Sequence, residues 1–105
     1  MNPLITNFAP IVIFTYNRLD CTKCLIKSLL SNPESKNSNL IIFSDGPKKR
    51  YDYQNISKVR LYLKSVGGFK KIKIIKRTKN LGLKNNIIQG VSDIFKKYNE
   101  VIVLE

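Results

Sequence analysis

Four short segments carry the side chains that can do chemistry: Thr15-Tyr16-Asn17-Arg18, Ser44-Asp45-Gly46-Pro47, the stretch from Arg77 to Lys84, and whatever follows Leu104. Each comes directly after an apolar run that reads as a strand, and parallel α/β sheets bind ligands where their strands end. The residue types suit a nucleotide. The Tyr16 ring can stack on a base, and Asp45 can accept hydrogen bonds from a base N–H or a ribose hydroxyl. Arg18 or Lys84 can meet phosphates. Taken singly, each is also ordinary turn or cap chemistry, and Asp45-Gly46-Pro47 is simply a good turn. Their convergence on one sheet edge is what favours a ligand.

Other chemistries lose ground. The chain has no histidine, which removes the common triads and His-based metal sites. It has neither a Gly-x-Gly-x-x-Gly fingerprint nor a phosphate-binding loop motif. Cys21-Thr22-Lys23-Cys24 has the spacing of a redox pair at a helix start, but no Trp precedes it and no Gly-Pro lies between the thiols. Two thiols alone do not make a zinc site, so the pair reads as reduced, structural helix cysteines.

The elements that must position these segments alternate. Ala9–Thr15 is a β-branched and aromatic run fit for a buried strand, and a helix follows, with Asn17 as its cap. Its apolar face is Leu25, Ile26, Leu29 and Leu30, and Asn32-Pro33 ends it. Leu40–Ser44 is a second strand. Ile56, Val59, Leu63 and Val66 recur at helical spacing up to the stop at Gly67-Gly68. Lys71–Lys76 is a third strand with Ile72 and Ile74 on one face. Ile87, Val91, Phe95 and Tyr98 mark a helix over Leu83–Lys97, and Val101–Leu104 is a fourth strand. The order βαβαβαβ predicts an α/β fold, with parallel strands joined by right-handed crossovers and covered by helices on both faces.

Length allows one domain over residues 1–105, and 43% hydrophobic residues suffice for a core. No run approaches the roughly 18 to 20 apolar residues of a membrane span. Met1 to Pro10 lack Lys and Arg and precede no long apolar region, which predicts a cytoplasmic protein, with peripheral contact at the inner membrane face as an option. Nineteen Lys and Arg against seven acids give +12, a field that attracts polyanions. Lys far outnumbers Arg, and together with abundant Asn and Ile this is also what AT-rich codons place at solvated positions.

Pro10 to Arg18, Ser44-Asp45-Gly46, Asn80-Leu81-Gly82-Leu83 and Val101 to Glu105 together resemble glycosyltransferase family 2 and its GT-A relatives. The last two segments are similar to bacterial sugar transferases related to N-acetylglucosaminyltransferases. The likeness runs from about Pro10 to Glu105. It implies a Rossmann-like GT-A half-domain with strand order 3-2-1-4 that binds a nucleotide-sugar donor, expected to be a UDP-sugar. The implied nucleotide-binding residues are Thr15 and Tyr16 at the base, Arg18 beside it, Asp45 on the base or ribose, and Lys84 near the diphosphate.

The same resemblance makes Glu105 the first of an acidic triplet whose last Asp binds Mn²⁺ or Mg²⁺, so the metal, the catalytic base and the acceptor site are expected beyond it. A divalent metal is accordingly expected in a full-length enzyme and none in these 105 residues, which are expected to bind nucleotide without turnover. The acceptor is expected to be a glycan or a lipid-linked sugar, and no nucleic acid is expected as a partner. The apolar fourth strand is expected to lie at a sheet edge and to promote homo-oligomers. Two other readings remain: a polyanion-binding module using Lys70 to Lys79, and a small α/β interaction domain without a ligand.

Overall fold

The computed structural model describes residues 9–96, 98 and 102–104. Its strands are β1 (Ile11–Thr15), β2 (Asn39–Ser44), β3 (Lys71–Lys76) and β4 (Ile102–Leu104), and its helices are α1 (Leu19–Leu30), α2 (Asp52–Lys64) and α3 (Leu83–Phe95). All strand pairs are parallel, in the order β3-β2-β1-β4. The parallel sheet is what the alternation of elements predicts, and the order is the Rossmann-like one that the family resemblance implies.

Period-two alternation divides the core. Ile11, Ile13, Leu40 and Ile42 point to one face, where Ile26 of α1 and Val59 and Leu63 of α2 cover them. Val12, Phe14, Ile41 and Phe43 point to the other, against Ile94 of α3. Ile72 and Ile74 of β3 pack on the first face and Ile75 on the second. The Phe14 and Phe43 rings stack at 5.4 Å, and α3 approaches them at Gly90. A Cβ there would stand 2.8 Å from Phe14 Cε1.

Several boundaries differ from the sequence reading. β1 starts at Ile11 because Pro10 has no N–H to give a ladder, although its carbonyl accepts from Ile102 N at 2.9 Å. The cap of α1 is Arg18, with no side-chain bond, because the Asn17 amide is drawn to Asp52. Asn32-Pro33 ends α1 and also starts a 3₁₀ turn, Pro33–Asn37, whose first free N–H, on Glu34, bonds the Asn32 side chain at 2.9 Å. α2 begins a full turn before Ile56, at Asp52. Lys97 and Val101, expected as element ends, lie outside the described residues.

Candidate functional site

The carboxyl ends of three strands finish level, with Thr15 paired to Ser44 and Ser44 to Lys76. The ladder continues one step further, since Asp45 N donates to Thr15 O and Arg77 N to Ser44 O, both at 2.9 Å. Tyr16, Asp45 and Arg77 therefore emerge along a single rim. Between this rim and the start of α3 lies a cleft of about 170 Å³. Phe14, Thr15 and Tyr16 form one wall, Asp45 and Lys48 a second, and Asn80, Leu83 and Asn86 the third.

Asp45 holds two of these walls together. It is only 4% exposed, and its carboxylate accepts four hydrogen bonds. Oδ1 takes Gly46 N and Leu81 N, each at 2.8 Å, while Oδ2 takes Gly82 N at 3.1 Å and Asn80 Nδ2 at 3.3 Å. A carboxylate offers about four acceptor positions, so the loop over Asn80–Gly82 occupies what Asp45 has. Gly46 makes that docking sterically possible. A Cβ at this position would lie 2.5 Å from the Lys79 carbonyl carbon.

The Tyr16 side of the cleft is anchored from α2. Its hydroxyl donates to Asp52 Oδ2 at 2.7 Å and accepts from Lys48 N at 3.1 Å. Asp52 also accepts from Asn17 Nδ2 and Lys49 N, both at 3.1 Å. These donors, Tyr16 first, hold the Asp52 carboxyl below the usual carboxylate range. Burial, reinforced by the hydrogen bond to Asp52, pushes the Tyr16 hydroxyl above its ordinary value. With its oxygen engaged on both sides, Tyr16 presents its ring to the cleft.

Arg60 of α2 closes the rim behind. Its Nε donates to Ser44 Oγ at 2.8 Å, and its Nη2 donates to three carbonyls, those of Ser44 (3.2 Å), Asp45 (3.1 Å) and Arg77 (2.9 Å). Desolvation lowers the Arg60 pKa from its ordinary value, and the charge of Asp45 acts in the opposite sense.

Two residues lining the cleft keep polar capacity that the protein does not fill. Thr15 Oγ1 is buried, in a residue 6% exposed, and has no hydrogen-bond partner. Asn86, 1% exposed, accepts at Oδ1 from Arg77 Nε at 2.9 Å, so its NH₂ is the group it has to offer. Arg77 is itself held over the Phe43 ring, 5.2 Å from the centroid.

Of the residues singled out from sequence, the structure brings Thr15, Tyr16 and Asp45 into one cleft. Arg18 is exposed and lines a separate groove with Asp20, Cys21 and Lys58, beside the start of α1. Lys84 is exposed on the first turn of α3, outside the cleft lining, and Glu105 lies outside the described residues. Cys21 and Cys24 are both free and exposed, so neither packs in the core. Lys48, Asn86, Asp52 and Arg60 were not indicated by the sequence. Asn80 belongs to the Asn80-Leu81-Gly82-Leu83 segment already noted, and Lys48 follows the Asp-Gly-Pro turn directly. Among the described residues no three His, Cys, Asp or Glu side chains gather closely enough to hold a metal ion.

The model of one protein family, described as glycosyl transferase family 2, matches residues 11–102. No curated protein and no solved structure matches the chain.

Proposed function

Because the chain belongs to glycosyl transferase family 2, we infer that its cleft binds the nucleoside part of a nucleotide-sugar donor, with a uridine diphosphate sugar as the favoured donor. The observation that carries this reading is Thr15 Oγ1, a buried polar atom without a partner in the wall of a cleft at the strand ends. Leaving such an atom unpaired costs about 1–3 kcal/mol, which a ligand hydrogen bond recovers. The Tyr16 ring and Leu83 flank a planar base, and the Asn86 NH₂ supplies a donor for a base carbonyl. Lys48, at the mouth, provides positive charge for the diphosphate.

In the transfer itself the acceptor oxygen bonds to the anomeric carbon as the bond to the diphosphate breaks. That electron pair leaves with the nucleoside diphosphate, and the acceptor's proton goes to a base. The described residues serve the donor half of this reaction: they hold the nucleoside and fix where the diphosphate emerges.

Calorimetric titration with UDP, set beside ADP and GDP, tests the reading. Binding of UDP that weakens roughly two- to tenfold in Thr15→Val is expected, the loss of one neutral hydrogen bond. No binding by any nucleotide, or an unchanged affinity in Thr15→Val, overturns it.

A further inference from the structure

The positive charge of this chain is not spread evenly. From Gly46 to Ser92 there are thirteen Lys and Arg and one acid, a net of +12, while the remaining residues carry six of each sign and sum to zero. The one acid, Asp52, is buried against Tyr16 and neutralises nothing at the surface. The sole salt bridge among the described residues, Lys96–Asp93, lies outside that segment.

The same segment gathers its most exposed apolar side chains at one place, although Leu83 and Ile88 of α3 are exposed as well. Among the described residues the three most exposed large hydrophobics are Leu61 at 70%, Tyr51 at 69% and Tyr53 at 61%. All three belong to α2 or to the turn that leads into it. Val59 and Leu63 face the core, so Lys58, Leu61 and Lys64, three residues apart, recur on the outer side of the helix. Ahead of it, Lys48, Lys49 and Arg50 are exposed beside Tyr51.

We propose that the outer face of α2, with its Lys48–Tyr51 lead-in, docks onto an anionic lipid surface. Cations at about 1 kcal/mol each draw the helix to the headgroups, and Leu61 and the two tyrosines enter the boundary between headgroup and acyl chain. Tyrosine suits that depth, with an apolar body and a polar tip. The aliphatic Leu61 separates this occupant from a nucleic acid, since phosphates and stacked bases give an exposed leucine on a convex helix nothing to bury against. The arginines argue the same way: Arg60 and the Nε of Arg77 are engaged inside the protein, so apart from Arg50 the cations of this surface are lysines. Among the described residues no helix is long and apolar enough to cross a membrane, so the contact is one of lying on the surface.

Co-sedimentation with vesicles of phosphatidylcholine, with and without phosphatidylglycerol, tests the proposal. The chain is expected to bind the anionic vesicles only, and less as salt rises. Leu61→Ser should lower that partitioning roughly tenfold. Lys58→Gln combined with Lys64→Gln should lower it roughly thirtyfold. Lys27→Gln combined with Lys36→Gln, which removes the same charge outside the surface, should change it far less. All the altered side chains are exposed, and circular dichroism checks that each variant keeps its fold. No binding to anionic vesicles overturns the proposal, as does an equal loss from the Lys27 and Lys36 pair. Indifference to Leu61→Ser also overturns it. So does tighter binding to a single-stranded oligonucleotide that depends on the lysines and not on Leu61, which would reassign the surface to nucleic acid.

Discussion

The Tyr16 hydroxyl sits 2.7 Å from Asp52 Oδ2, joining the end of β1 to the first turn of α2 across 36 residues of chain. The two groups make stability depend on pH at both ends of the scale. Asp52 is held more acidic in the folded chain than in the unfolded one, so its contribution is complete above the ordinary carboxylate pKa near 4. It is lost as pH falls through the depressed folded value. Tyr16 is raised in the folded chain, so its contribution is complete below about pH 10 and is lost as pH rises through the folded value. Melting temperatures followed across pH should therefore fall at both extremes. Tyr16→Phe should flatten both slopes, and equal slopes in the two proteins would show that the pair is not coupled to folding.

Asp45→Asn replaces one acceptor oxygen by an NH₂ that faces donors whichever way it turns, Gly46 N and Leu81 N at one position or Gly82 N and Asn80 Nδ2 at the other. A loss of about 1–3 kcal/mol in urea-unfolding stability is expected, together with weaker nucleotide binding. If affinity falls while stability is unchanged, Asp45 acts on the ligand directly rather than through the loop.

The glycines give a graded test of close packing. Gly46→Ala brings a methyl to 2.5 Å from backbone and should cost about 1–3 kcal/mol. Gly90→Ala meets the edges of Phe14 and Phe43 and should also destabilise. Gly67 has open space around it, so Gly67→Ala should be neutral or stabilise by up to about 1 kcal/mol through the unfolded chain. Denaturant midpoints in any other order would contradict the packing described.

Arg60→Lys keeps the charge and loses the fork that reaches three carbonyls and Ser44 Oγ together. About 1–3 kcal/mol of stability should go with it, measured by chemical unfolding. A fully stable lysine variant would show that water satisfies those carbonyls equally well.

Replacing Cys21 and Cys24 together by Ser should change stability by no more than about 0.5 kcal/mol, as for other exposed positions. Nucleotide affinity should be unaffected. A thiol–disulfide exchange activity that disappears in the double variant would instead make the pair a redox site.

The strands were readable because each is an unbroken apolar run closed by a turn, and Ile72 and Ile74 already showed one covered side of β3, while the strand order came from the family resemblance. The rim residues Thr15, Tyr16 and Asp45 were readable for the same reason, as the first polar groups after such runs. What was hidden is pairing over long separations. Arg60 lies in a lysine-rich helix whose cations read as solvated, and nothing local tells that its guanidinium turns inward. Asn17 looks like a cap until its partner, Asp52, is brought alongside by the crossover from β1 to α2. Lys84 was placed by its nearness to the Asn80–Leu83 motif, but helical rotation, which sequence nearness ignores, carries it away from the cleft.

One helix supplies both braces of the cleft: Asp52, in the first turn of α2, fixes Tyr16, and Arg60, two turns on, fixes the ends of β2 and β3. Its opposite face is the one turned to solvent. α2 thus acts as a beam with a fixed inner chord and a loaded outer one. A slide of even one residue along its axis, about 1.5 Å, would pull either the tyrosine or the strand ends out of hydrogen-bond range. The two braces of the cleft therefore cannot be set independently, because one helix carries them both.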